Sequence, residues 1–187
     1  PNVLKIIDIS YNLVNIVNFM TDTTTNKVTG KFNLSIIVDD NLYMIPFVEN
    51  DVANKNFYPF VIYNLITKTT SFIDIGFSNN PVSLFSCILF TRFSSDKVLY
   101  LIMGDTTKNN QSILYDIENE KIEYVSFYNT DTNIFDITNL YFFDGYLYID
   151  GITKFILLLC YDNTTRTKIK KFKIQDKTNL IYISDID

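Results

Sequence analysis

The chain of 187 residues contains no histidine and no tryptophan, and it has only 5 glycines, 4 prolines and 2 cysteines. Without histidine there is no Ser-His-Asp or Cys-His arrangement, because the commonest general base is missing. A zinc site would need an all-carboxylate ligand set, since no imidazole is available and two thiols cannot fill a tetrahedral shell. Neither G-x-x-x-x-G-K-[ST] nor G-x-G-x-x-G is present to cradle a phosphate. The spacing Ser94-Ser95-Asp96-Lys97 satisfies Ser-x-x-Lys but reads as a turn before a strand. No metal or other cofactor is expected. So little glycine leaves turns to Asn, Asp and Thr, which bond their own backbone.

Positive charge is also scarce, with 16 Lys and Arg against 21 Asp and Glu. The net charge of −5 argues against nucleic acid as a partner, because such binders present a basic face to the phosphates. The one basic run, Lys168, Lys170, Lys171 and Lys173, alternates with Ile169, Phe172 and Ile174. As a strand it places Lys171 and Lys173 on one side and Phe172 and Ile174 on the other, the pattern of a solvated sheet face. The longest apolar run, Phe155 to Cys160, is far short of the roughly 20 residues of a membrane-spanning helix. No transmembrane segment is expected. Cys87 and Cys160 lie inside "LFSCILF" and "FILLLCYD" and read as small buried hydrophobes rather than a bridge, which suits a reducing compartment. The start at Pro1-Asn2-Val3 rather than Met suits either a fragment of a larger chain or a processed product.

The material that is present suffices for one globular domain: 47% apolar residues, 20% charged, with 13 Tyr and 16 Phe to fill a core. The bias toward Ile, Asn, Lys, Tyr and Phe reads as translation of an AT-rich gene, as in a large DNA virus, a protist or a low-GC bacterium.

Apolar residues recur with period two or in short solid runs, bounded by Asn, Asp, Thr and Gly clusters, which is the signature of strands. "FVIYNLITKTTSFIDI" and "SILYDIENEKIEYVSF" read as hairpins. In "IDISYNLVNIVNFM" the residues Ile9, Leu13, Ile16, Val17 and Met20 fall at helical spacing. Their β-branched side chains and the repeated Asn nevertheless favour a strand pair.

A two-part pattern repeats along the chain. Leu-Tyr pairs follow turn-like segments at Leu42-Tyr43, Leu99-Tyr100 and Leu147-Tyr148. Each is followed by a second anchor, Tyr63-Asn64, Tyr115-Asp116 or Tyr161-Asp162, then a tight turn and another apolar segment. Units are expected over residues 39–93, 94–143 and 144–187, with a partial unit at 1–38. Four antiparallel strands in about 45 to 57 residues match a propeller blade. Over about residues 39–175 the order of turn, Leu-Tyr strand and Tyr-Asp strand end resembles the kelch-type β-propeller repeat. That resemblance implies blades whose third strands end at Asn64, Asp116 and Asp162. The Gly-Gly slots of that family hold Pro46-Phe47, Met103-Gly104 and Asp150-Gly151, and Phe72, Tyr124 and Ile169 lie near the place of its Trp.

The expected fold is therefore all-β, built of repeated four-stranded antiparallel units like a propeller, with a two-sheet β-sandwich as the alternative. Asp150 is the one catalytic candidate, because the repeat places it at an inner-strand position where the other copies carry Pro46 and Met103. A glycosidase would need it paired with a second carboxylate across a cleft. Tyr58, Tyr128 and Tyr146 are candidate contact residues, since tyrosine anchors both protein partners and sugars. The expected function is a non-enzymatic interaction or structural module with a protein partner or further copies of itself, such as a subunit of a virus particle. The alternative is a carbohydrate-binding or glycan-processing domain.

Overall fold

Val, Ile, Phe and Tyr dominate the apolar runs, and their stiff or bulky side chains pack well on a pleated surface. The computed structural model describes residues 3–7, 13–18, 31–47, 59–74, 85–103, 112–130, 133–137, 139–162 and 165–186, and every regular element among them is a β-strand. The chain divides into two compact units, Pro1–Val82 and Ser83–Asp187.

In the first unit, β1 (Val3–Ile7) and β2 (Leu13–Asn18) form an antiparallel pair, so the N-terminal segment is strand despite its helical spacing. β3 (Lys31–Val38), β4 (Asn41–Phe47), β5 (Pro59–Asn64) and β6 (Thr70–Asp74) form a four-stranded antiparallel meander in chain order. Met44, Val61 and Tyr63 are buried together on this sheet, and Tyr43 stacks on Phe60 at 5.7 Å between ring centroids.

The second unit contains two sheets. β7 (Phe85–Phe93), β8 (Asp96–Met103), β9 (Ile113–Asp116) and β10 (Lys121–Tyr124) make a second meander. β11 (Ser126–Tyr128), β12 (Leu140–Asp150), β13 (Thr153–Asp162), β14 (Thr165–Ile174) and β15 (Asn179–Ile186) make a five-stranded sheet in the order β11-β15-β14-β13-β12. Here β12 to β15 are a third meander, and β11 adds to it in parallel with β15. The chain changes sheets within one peptide: the Val125 amide donates to the Ser112 carbonyl at 2.9 Å, and the Ser126 amide donates to the Thr178 carbonyl at 2.8 Å.

The two sheets share one core, to which Leu89 and Tyr100 contribute from one side and Phe142, Ile156 and Phe172 from the other. They come closest at their first strands, β7 and β12. Gly145 makes that approach feasible, because a Cβ there would stand 2.8 Å from Cys87 Sγ and 3.0 Å from Leu158 Cδ2. Both cysteines are buried and free, and burial pushes the Cys87 thiol up to about 12, so each acts as a small hydrophobe.

The meanders share turn geometry. Their first hairpins close through Asp39-Asp40, Ser94-Ser95 and Gly151-Ile152, and the leading residue of each pair has a positive φ, of 50°, 54° and 60°. A left-handed residue there matches the right-handed twist of paired strands. Between third and fourth strands an acid or amide caps each turn. Asn64 Oδ1 accepts from the amides of Ile66 and Thr67, Asp116 Oδ1 from those of Glu118 and Asn119, and Asp176 Oδ1 from those of Thr178 and Asn179.

The Leu-Tyr and Tyr-Asp anchors of the first two copies are cross-strand neighbours in one register: Leu42 faces Tyr63, and Leu99 faces Tyr115. The third copy differs. Leu147-Tyr148 lies on β12, the first strand of its meander, whereas Leu42 and Leu99 lie on second strands. The counterpart of Asn64 and Asp116 as a turn cap is Asp176, and Asp162 ends a second strand. Sheet boundaries also begin one strand earlier than the repeat, since the strand expected to end each unit, β7 or β12, pairs with the next.

Candidate functional site

Asp150 closes β12 opposite Thr153, next to the two-residue turn, and is exposed. It is a turn-flanking residue on a sheet edge. Tyr58 lies outside the described residues. The buried polar side chains among the described residues are Thr91, Ser112 and Asp116, and Asp116 is fully engaged. Its carboxylate accepts the amides of Glu118 and Asn119 at 3.1 Å each, the Asn119 side-chain amide at 3.1 Å and Lys177 Nζ at 3.3 Å. Burial alone would raise its pKa, but these donors hold the carboxyl below its usual range. Lys177 also pairs with Asp96, and its carbonyl accepts the Tyr100 hydroxyl at 2.7 Å. This network links the two sheets of the second unit.

A second charged cluster sits at the end of β15. Asp185 accepts from Lys168 at 2.9 Å, Lys170 at 2.8 Å and the Tyr182 hydroxyl at 2.9 Å. Burial opposes ionisation of Asp185, yet these donors outweigh it and hold its carboxyl at about 2. The Lys170 ammonium also lies over the rings of Phe135 and Tyr182, at 5.7 and 5.4 Å. The basic run therefore splits. Phe172 and Ile174 enter the core and Lys171 and Lys173 face outward, as alternation requires, while Lys168 and Lys170 neutralise Asp185.

The outward face of the five-stranded sheet is the site that remains. On β13 the residues Ile156, Leu158 and Cys160 are buried, so by alternation Phe155, Leu157 and Leu159 face away from the core, and these three are only partly buried. One row of this face runs Tyr148, Phe155, Lys173, Ile181 and Tyr128 across all five strands. The next row carries Tyr146, Leu157 and Lys171. The sheet thus brings Tyr128 and Tyr146 onto one surface, 67% of Tyr146 being exposed. Tyr148 stacks against Phe155 at 6.0 Å, and the Lys171 ammonium rests over both rings, 4.0 Å from Phe155 and 5.5 Å from Tyr148. The acids of this surface, Asp144 and Asp150, sit on the edge strand β12.

Sequence reasoning places Lys171 on a solvated sheet face and does not single out Phe155, Leu157 or Lys171 as contact residues, although a signal was there. A strand that is apolar at every position is the type buried on both faces. β8, reading "VLYLIM", is buried from Val98 to Met103 on both faces. β13, reading "FILLLCY", has the same composition with one face covered. No family model, curated protein or solved structure matches the chain, so the surface is interpreted from its own chemistry.

Proposed function

We propose that the chain is a non-enzymatic interaction module of propeller-type four-stranded units, which joins a larger assembly such as a virus particle through the outer face of its five-stranded sheet. The observation that carries this is β13, a strand with the composition of a doubly covered layer whose outward apolar residues are only partly buried. Convergence of the first strands β7 and β12 supports the propeller arrangement, because blades approach most closely at their innermost strands. The full commitment of Asp116 and Asp185 to structural donors supports a non-enzymatic role.

The test is partner recovery. Tagged wild-type chain and a Tyr146→Ser/Tyr148→Ser variant are used as baits in extract from the native source. Selective loss of a stoichiometric protein partner by the variant is the expected result. Identical recovery by both baits, or retention of wild type on a glycan array, would sink the reading.

A further inference from the structure

The layout of charge on the outer face narrows the kind of partner that fits, given that this face is the docking surface. Lys171 and Lys173 project from β14, the middle strand of five, between Leu157 and Phe155 on one side and Ser184 and Ile181 on the other. Among the described residues neither makes an ion pair. The surface's own carboxylates, Asp144 and Asp150, are on β12, two strands away and so about 10 Å off in the sheet plane. Covering Lys171 with an apolar surface would bury an ammonium without a counter-charge, which costs several times more than the hydrophobic contact of one side chain returns. A second copy of the same face fares no better. Either two-fold operation centred on this sheet lays β14 on β14 and sets lysine against lysine.

We infer that the outer face docks an apolar protein surface bearing carboxylates at its centre, which meet Lys171 and Lys173 over the Tyr148–Phe155 pair. The rings hold the Lys171 ammonium close to the sheet plane, so a carboxylate can reach it while the aliphatic side chains around it stay in contact. Local positive charge within a chain of net charge −5 also gives the surface a direction for an approaching acidic group.

The experiment uses fluorescence anisotropy with the whole chain and two extended synthetic peptides. In the first, one face alternates phenylalanine with glutamate; in the second, lysine replaces glutamate. The acidic peptide is expected to bind at least about tenfold more tightly, to weaken as salt rises, and to lose about tenfold on Lys171→Glu. Tyr146→Ser, at a position too exposed to threaten the fold, is expected to weaken it as well. Loss on Tyr146→Ser with no effect of Lys171→Glu would overturn the acidic partner and leave the docking face standing. Indifference to both variants would remove the face itself. Sedimentation of wild type as a dimer that Tyr146→Ser dissociates would replace the acidic partner by a second copy. Co-sedimentation with phosphatidylserine vesicles in place of peptide binding would replace it by a membrane.

Discussion

Two residues carry more of the second unit than their size or number suggests. Gly145 is where β12 meets β7, and the space a methyl group would need is held by Cys87 and Leu158, both buried. Leu158 Cδ2 can swing slightly, whereas Cys87 Sγ moves only by turning about its one side-chain bond inside a packed interior. Gly145→Ala is expected to cost about 1–3 kcal/mol, as overpacking of a close-packed interior does, measured as a lowered urea midpoint at unchanged slope. Asp185 acts through charge. Its carboxyl is held at about 2 against an ordinary value of 3.8, by donors that outweigh its burial. Because the folded value is the lower one, the stabilisation is complete above about pH 4 and is lost as pH falls toward 2; it amounts to about 2 kcal/mol. Melting curves of wild type and Asp185→Asn should differ at pH 7 and converge near pH 2. A gap that persists in acid would assign the effect to packing.

At the scale of elements, the turns explain how a chain with 5 glycines folds into sheets. Asn64, Asp116 and Asp176 each accept two backbone amides two and three residues on, which closes the last hairpin of each meander. Asp176 adds a bond from the Asn179 side chain at 2.7 Å, and the donors around it outweigh partial desolvation and hold its carboxyl below the usual range. Asp176→Ala is expected to cost about 1 kcal/mol per lost bond, and Asp176→Asn to recover most of it, because the amide oxygen still accepts. Equal destabilisation by both would show that charge rather than acceptor geometry matters. These turns also show what the sequence made legible. The strands, the hairpins after Asn64 and Asp116 and the anchors Leu42, Tyr63, Leu99 and Tyr115 were readable because turn chemistry and period-two alternation are local. The third copy was misread because Leu147-Tyr148 and Leu99-Tyr100 look alike in sequence, and only hydrogen-bond partners separate a first strand from a second. The outer face was hidden for the same reason: "FILLLCY" tells that both sides are apolar, and pairing tells which side is covered.

Across the second unit as a whole, the sheet-to-sheet attachment has an apolar part and a charged part that respond differently to pH. The apolar part is the shared core, whose burial does not titrate. The charged part is Lys177, which joins Asp96 and Asp116 of the first sheet to the β14–β15 turn of the second. Hydrogen bonding to Asp96 and then Asp116 raises the Lys177 pKa above its ordinary 10.5 despite partial burial, while Asp116 is held low. The Lys177 contribution is therefore complete below about pH 10.5 and fades as pH rises through the higher folded value, and the Asp116 contribution is complete above about pH 4 and fades as pH falls. Between these limits Lys177→Met should destabilise by about 1–3 kcal/mol, below the cost of stripping a buried charge bare, because Asp116 keeps its three other donors. The loss should be smaller in molar salt at Asp96, which is partly exposed, than at Asp116, whose side chain is nearly inaccessible. Hydrogen exchange supplies the spatial readout. The Ser126 amide bonds the Thr178 carbonyl, beside Lys177, whereas the Val125 amide bonds within the first sheet, at Ser112. In Lys177→Met at neutral pH, Ser126 should exchange faster while Val125 keeps its protection, since only the attachment loosens. Equal loss at both amides would mean that the two sheets open as one cooperative unit and that Lys177 adds to global stability without governing their junction.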